Sequence, residues 1–197
     1  MKTELCDLAY KWRTDKAIFY TPFYHALFKN KRNNVKKVLE IGIGYPHAMV
    51  GSISRVGMVD YVIGASLFMW QDYFPQAQIF AFDNKSELLI NEGRIQSFYC
   101  DQSSDESLAE AMSYVGHDFD LIVEDGSHIR EHQLLSMNHL VPLLSDTGYY
   151  FMEDINEPYD ELINQVPYTR SLKTFYRRDI PAGENISALL AIKKTKR

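Results

Sequence analysis

Short apolar runs alternate with helix-like segments along most of this chain, and four of the five runs end in an acidic residue. The five runs lie at residues 35–41, 78–83, 95–101, 118–125 and 148–154. Strands that alternate with helices in this way are typical of a parallel sheet with helices packed on both faces. The pattern therefore predicts an α/β fold built on a mostly parallel sheet.

The last part of the chain breaks this alternation. Two strand-like runs, residues 172–177 and 187–193, are separated by a turn that contains Pro181, Ala182 and Gly183. Because so short a connection cannot hold a crossover helix, the two strands must be antiparallel. A parallel sheet that ends in an antiparallel hairpin is typical of class I S-adenosylmethionine (SAM) methyltransferases. We therefore predict one Rossmann-like domain with a seven-stranded sheet.

Length and charge exclude several classes of protein. A chain of 197 residues suits one core, so we assign 1–34 to an N-terminal helical cap and 35–197 to one domain. A net charge of -5 argues against nucleic acid as the main partner. No run reaches the roughly 18 apolar residues of a membrane span, and Cys6 and Cys100 lack CxxC partners. We expect a cytoplasmic enzyme that binds neither nucleic acid nor membrane.

A glycine turn closes the first predicted strand. Glu40, Gly42 and Gly44 belong to the sequence EIGIG, in which glycines let a ligand approach the main chain closely. A dinucleotide site would need a third glycine three positions after Gly44, and that position is His47. We also expect no helix directly after this turn to meet a pyrophosphate. SAM has no phosphate, so the turn and Ser66 are predicted to bind SAM.

Polar side chains at the ends of the next two strands are candidate nucleotide ligands. Asp83 lies where nucleotide-binding α/β proteins place an acid on the ribose hydroxyls. Asp101 and Gln102 end the third strand, where a polar pair can bind the adenine amino group. For each of these positions the alternative is a cap of the following helix.

Acidic residues also end the fourth and fifth strands, at Asp125 and at Glu153 and Asp154. Neighbouring parallel strands bring these ends to one crevice, where carboxylates repel one another unless they are protonated or share a cation. Because side chains alternate along a strand, only Asp125 of the pair Glu124 and Asp125 should face the crevice. We predict a Mg²⁺ or Mn²⁺ site formed by Asp125, Glu153 and Asp154; the alternative is that these acids are turns or caps.

His128 is the candidate general base. It is joined to Asp125 by a Gly-Ser turn, and both are predicted to be catalytic. A nearby cation and a helix N-terminus both disfavour imidazolium and leave a neutral ring that can take a proton. The alternative is that His128 caps or packs at its helix start.

Six segments carry a resemblance to a known family. They are VLEIGIG (38–44), GASLFMWQDYFP (64–75), IFAFD (79–83), GRIQSFYCDQS (93–103), FDLIVEDGSH (119–128) and GYYFMEDI (148–155). Together with the triplet Thr14-Asp15-Lys16, they resemble the Mg²⁺-dependent sugar O-methyltransferases of macrolide biosynthesis, of the mycinamicin and macrocin type, and the wider group of cephalosporin hydroxylase-like methyltransferases.

The resemblance implies a function and a set of roles. It implies metal binding by Asp125, Glu153 and Asp154, a base at His128 and ribose binding at Asp83. The reaction would move the methyl of SAM to a hydroxyl of a sugar or sugar-like small molecule. The long apolar stretch 45–63 is expected to cover this acceptor.

Three alternatives remain open at this point. A catechol also offers vicinal oxygens to Mg²⁺, so a catechol O-methyltransferase is the nearest one. A nicotinamide-dependent oxidoreductase and a catalytically silent SAM-binding module are the others. A homo-oligomer is compatible with all of them.

Overall fold

The computed structural model describes residues 2–17, 19–55, 57–156, 158–175 and 187–196. The helices are α1 (Glu4–Trp12), α2 (Thr21–Phe28), α3 (Pro46–Arg55), α4 (Ala65–Tyr73), α5 (Asp105–Val115), α6 (Arg130–Leu140) and α7 (Tyr159–Ile163). The strands are β1 (Lys37–Ile41), β2 (Gln78–Asp83), β3 (Asn91–Glu92), β4 (Ile95–Tyr99), β5 (Phe119–Glu124), β6 (Leu144–Met152), β7 (Tyr168–Phe175) and β8 (Ser187–Lys196). Within these residues no helix is long and apolar enough to cross a membrane.

The strands form one sheet in the order β3-β4-β2-β1-β5-β6-β8-β7. The five central strands from β4 to β6 run parallel, whereas β8 is antiparallel to both β6 and β7. The predicted α/β fold with a mostly parallel sheet and a C-terminal antiparallel pair of strands is thus confirmed. The predicted turn at Pro181, Ala182 and Gly183 lies outside the described residues.

Two local predictions are wrong. The described residues form an eight-stranded sheet rather than a seven-stranded one, because the short strand β3 pairs with β4. The hydroxyl of Ser97 bonds both the N–H and the C=O of Ile90 and holds this segment beside β4. Helix α3 begins at Pro46, so a helix does follow the glycine turn closely. Only the missing glycine at His47 therefore still argues against a dinucleotide.

The alternation of side chains along the strands divides the core between the two faces of the sheet. On β6, Phe151 packs with Tyr24 and Trp70 under the N-terminal helices, while Tyr150 and Met152 face the opposite side. Tyr24 meets both Trp70 and Phe151 edge to face, an arrangement that aromatic rings favour. Because α1 also packs against α2 and α4, the N-terminal segment is an integral part of one face.

Gly42 is the position where the glycine turn tolerates no side chain. Its φ is +95°, and a Cβ atom there would lie 2.2 Å from the backbone oxygen of Asp125. We expect Gly42→Ala to lower the free energy of unfolding by about 1–3 kcal/mol, the usual cost of such a backbone conformation. Gly51→Ala, in helix α3 with no atom within 4 Å, should instead stabilise by up to about 1 kcal/mol. Urea unfolding curves of both variants test this; equal effects would contradict it.

Candidate active site

A cavity of about 700 Å³ lies at the carboxyl edge of the parallel strands. Nine of the predicted site residues line it: Gly42, Gly44, Ser66, Asp83, Asp101, Gln102, Asp125, His128 and Asp154. Glu40 and Glu153 are absent from this lining because both side chains are buried. The structure therefore brings most of the predicted residues to one place and separates two from it.

The segment after the glycine turn forms one wall of the cavity. Tyr45, Met49 and Ser52 line it from the start of this segment and from α3, and Tyr61 lines it from the following loop. The hydroxyl of Tyr61 donates to the carbonyl oxygen of Ile43 at 2.8 Å and lies where a Cβ of residue 44 would be. The tyrosine thus closes over the glycine turn, a contact that sequence reasoning misses.

Asp83 holds the glycine turn and also faces the cavity. Its Oδ2 accepts the backbone N–H of Ile43 at 2.8 Å, and its Oδ1 accepts that of Lys85 at 2.9 Å. Each carboxylate oxygen has two lone pairs, so both oxygens retain the capacity to accept a ligand hydroxyl.

Asp101 and Gln102 are largely engaged in local bonds. Asp101 Oδ1 accepts from both the N–H and the hydroxyl of Ser103, and these bonds lower the pKa of Asp101. Gln102 donates to Glu124 and to Ser136 and accepts the N–H of Ser127. The N-cap of α5 is Ser104 rather than Asp101, and Gln102 fastens the loop after β4 to the loop after β5.

Glu40 does not reach the cavity. Its carboxylate is 1% exposed, accepts the indole N–H of Trp70 at 2.6 Å and lies 3.3 Å from the ammonium of Lys16. Burial raises the pKa of Glu40, and Lys16 opposes this shift. The cavity lining omits Glu40, although its neighbours Lys16 and Ser66 belong to that lining, so contact of Glu40 with the cofactor stays a prediction.

Asp125, His128 and Asp154 form the candidate metal site. One ligand atom from each lies within 4.8 Å of the other two. Oxygen ligands of one Mg²⁺ lie about 2.0–2.1 Å from the ion and hence at most about 4.2 Å apart. Small side-chain rotations would therefore let both carboxylates bind a divalent ion.

The backbone explains why Asp154, rather than Glu153, faces this site. Strand β6 ends at Met152, and Asp154 has a φ of +47°. The chain thus bends directly after the strand. The directions of the two acidic side chains are therefore set by this bend and not by the alternation of side chains along a strand. Tyr20 donates its hydroxyl proton to Asp154 Oδ1 at 2.5 Å.

Glu153 is the buried member of the three predicted metal ligands. It is 0% exposed, with Oε2 2.5 Å from the Lys16 ammonium and Oε1 accepting the hydroxyl of Tyr24. Burial raises the pKa of Glu153 well above its usual range, and Lys16 opposes the shift. Both carboxylate oxygens have partners in the protein, and metal binding by Glu153 stays a prediction.

His128 lies beside the two acids. Its Nε2 is 3.9 Å from Asp125 Oδ1, and its φ is +57°, an uncommon value for a residue with a side chain. Among the described residues its buried Nδ1 has no hydrogen-bond partner. The backbone carbonyl of His128 accepts from Asn156 at 3.2 Å, which ties the loop after β5 to the loop after β6.

The N-terminal segment supplies polar groups for which sequence reasoning proposes no role. Asp15 lines the cavity, and burial together with the charges of Asp125 and Asp154 raises the pKa of Asp15 to about 6. Burial lowers the pKa of Lys16, but its carboxylate neighbours outweigh burial and raise that pKa well above its usual range. The sequence feature that could have indicated these roles is the polar triplet Thr14-Asp15-Lys16, which lies between the apolar residues Trp12 and Ala17.

Comparison with known proteins agrees with this geometry. No family model matches the chain. Mycinamicin VI 2''-O-methyltransferase of Micromonospora griseorubida is 34% identical over 158 residues, which are 78% of this chain and 36% of that protein. Demethylmacrocin O-methyltransferase of Streptomyces fradiae is also 34% identical over 158 residues, 78% of this chain and 37% of its own length.

A solved structure extends the comparison to almost the whole chain. It is that of the MycE methyltransferase from the mycinamycin biosynthetic pathway in complex with Mg, S-adenosylhomocysteine (SAH) and mycinamycin VI. The TM-score is 0.71 and the identity 26%, and the match covers 99% of this chain and 55% of that chain.

The chain thus has the class I methyltransferase fold. More narrowly, it is a relative of the macrolide sugar O-methyltransferases, and the resemblance predicted from the sequence is confirmed. The chain spans about a third of the length of these curated relatives, at 36% and 37%.

Proposed function

We propose that this chain is a metal-dependent O-methyltransferase that moves the methyl of SAM to a hydroxyl of a sugar or sugar-like acceptor. The observation that carries the proposal is the meeting of Asp125, His128 and Asp154 in a cavity that also contains the glycine turn. A base beside two carboxylates that face the cavity suits the activation of a hydroxyl, a poor nucleophile at neutral pH. The relatives with Mg and SAH add support.

The glycine turn and Asp83 are the proposed SAM site. Gly42 and Gly44 let the cofactor approach the backbone after β1, and Asp83 is available to the ribose hydroxyls from the end of β2. The methyl group would then face the acids after β5 and β6.

Asp83→Ala is expected to weaken SAH binding by about 1.5–3 kcal/mol, the usual loss for hydrogen bonds to a charged group. Isothermal titration calorimetry with SAH measures this loss. Asp60→Ala, which removes a surface carboxylate paired with Arg13, is the matched control and should bind SAH normally. Unchanged SAH affinity in Asp83→Ala would remove Asp83 from the cofactor site.

The proton would leave the acceptor hydroxyl through His128. When bound, Mg²⁺ lowers the pKa of a coordinated hydroxyl and fixes its orientation. Asp125 Oδ1 and Asp154 would hold the ion, and the nearby His128 Nε2 would take the proton as the oxygen attacks the SAM methyl. Tyr20 fixes the carboxylate of Asp154 for this task.

The acceptor would lie against the wall formed by residues 45–63. From this stretch Tyr45, Met49, Ser52 and Tyr61 line the cavity, and they offer apolar surface and hydroxyls together. Such a wall suits a small molecule that joins an apolar part to its hydroxyls. We propose the cytoplasm as the place of the reaction, and the net charge of -5 supports an acceptor other than nucleic acid.

Calorimetry with SAH and NADH, followed by methylation assays, tests the proposal. We expect SAH to bind and NADH to give no heat, because position 47 lacks the glycine of a dinucleotide site. Methylation of a panel of sugar diols should exceed that of a panel of catechols. Binding of NADH without SAH would overturn the assignment, and preference for catechols would overturn the acceptor class.

A further inference from the structure

Lys16 is a buried cation at the centre of the acidic cluster. It lies between α1 and α2 and is 2% exposed. Its ammonium is 2.5 Å from Asp125 Oδ2, 2.5 Å from Glu153 Oε2 and 3.3 Å from Glu40 Oε1. The contacts with Asp125 and Glu153 are hydrogen bonds, whereas Glu40 Oε1 has no hydrogen-bond partner among the described residues.

These contacts divide the carboxylates into two groups. Glu40 and Glu153 lie inside the protein, where an unpaired carboxylate would be costly. Asp125 is shared: Oδ2 contacts Lys16, and Oδ1 is the atom 3.9 Å from His128 Nε2. The lysine therefore determines which oxygen of Asp125 is left for the cavity.

Other side chains of the N-terminal segment act on the same acids. Tyr24 donates to Glu153, and Tyr20 donates to Asp154. Partners of this kind orient metal ligands, and their removal usually weakens metal binding.

We propose that Lys16 is a positioning residue of the metal site. Its ammonium retains Glu40 and Glu153 as internal partners and orients Asp125 so that Oδ1, together with Asp154, binds the divalent ion. The proposal rests on the proposed metal-dependent function. It adds that the buried ammonium of Lys16 determines which carboxylates are available to the metal.

A charge-balanced double variant separates positioning from simple ion pairing. Lys16→Met alone leaves three carboxylates without their cation, so it changes stability and local charge together. Lys16→Met combined with Glu153→Gln removes one charge of each sign and leaves the net charge near the metal site unchanged. Lys11→Met removes an exposed lysine paired with Asp72 and is the matched control.

The experiment measures Mn²⁺ affinity by electron paramagnetic resonance, SAH affinity by calorimetry and the unfolding temperature of each protein. We expect Lys16→Met to unfold at a lower temperature and the double variant to recover most of that loss. The double variant should bind Mn²⁺ about 10–100-fold more weakly than both the wild type and Glu153→Gln alone. SAH affinity should remain at the wild-type value, because the described contacts of the Lys16 ammonium run to carboxylates and not to Gly42, Gly44 or Asp83.

Mn²⁺ affinity in the double variant equal to that of the wild type or of Glu153→Gln alone would overturn the positioning role and leave Lys16 as a structural ion pair. A double variant as unstable as Lys16→Met would contradict the charge compensation between Lys16 and Glu153. Absence of Mn²⁺ binding by the wild type would instead overturn the metal-dependent function itself, and the role of Lys16 with it.

Discussion

His128→Ala is expected to lower kcat by about 10²–10⁴-fold while divalent metal and SAH still bind, because general-base help accounts for a factor of that size. The imidazole lies within 4 Å of Asp125 and faces the cavity in which the acceptor would bind. Methyl transfer assays at saturating SAM and acceptor measure the loss. His139→Ala is the matched control, since that ring pairs with Asp105 on α5 instead.

The pH profile distinguishes a base from a packing residue. A general base acts only in its deprotonated form, so the wild-type kcat should rise with pH and that of His128→Ala should lack this rise. A wild-type rate in His128→Ala would move the base role to an acid, with Asp125 the first candidate at the same strand end.

Asp125→Asn and Asp154→Asn are expected to be as inactive as the wild type in EDTA. Each removes one negative charge from the pair of carboxylates available to the metal, and Mg²⁺ depends strongly on charged oxygen ligands. Adding Mg²⁺ or Mn²⁺ back should restore the wild type and neither variant. The measurement is methyl transfer before and after the addition of metal.

SAH binding should survive in both variants, since the metal serves the acceptor rather than the cofactor. Glu161→Gln, which changes an exposed acid paired with Arg130, is the control and should respond to metal like the wild type. Retained activity of Asp154→Asn at wild-type Mg²⁺ concentrations would contradict the proposed ligand role of Asp154.

The sequence predicts the parallel sheet and the crevice well because both follow from local patterns. Apolar runs define the strands, and acids at the strand ends must meet at one edge when the strands are parallel. Strand alternation also predicts that Glu124 points inward, and the structure buries it against Gln102. Asp125, His128 and Asp154 therefore share the cavity, as the order of strands requires.

The sequence could not predict the positions of Glu40 and Glu153. Each has a partner far away in the chain: Lys16 for Glu153, at a separation of more than a hundred residues, and Trp70 for Glu40. Asp154 also has a positive φ, and the local sequence gives no signal for this backbone conformation. Contacts between distant residues that bury a charge leave no periodic pattern in the sequence. In the part of the chain that the structure describes, the polar triplet at residues 14–16 is the one sequence feature that indicates such a charge.

Transfer of a radiolabelled methyl from SAM to a glycoside with vicinal hydroxyls, measured with Mg²⁺ and with EDTA, tests the central claim most directly. The cavity joins a candidate SAM site to a divalent metal site beside a base. We therefore expect labelled methyl ether with Mg²⁺ and none with EDTA. Equal transfer under both conditions would contradict the account, because Asp125 and Asp154 would then have no metal to hold.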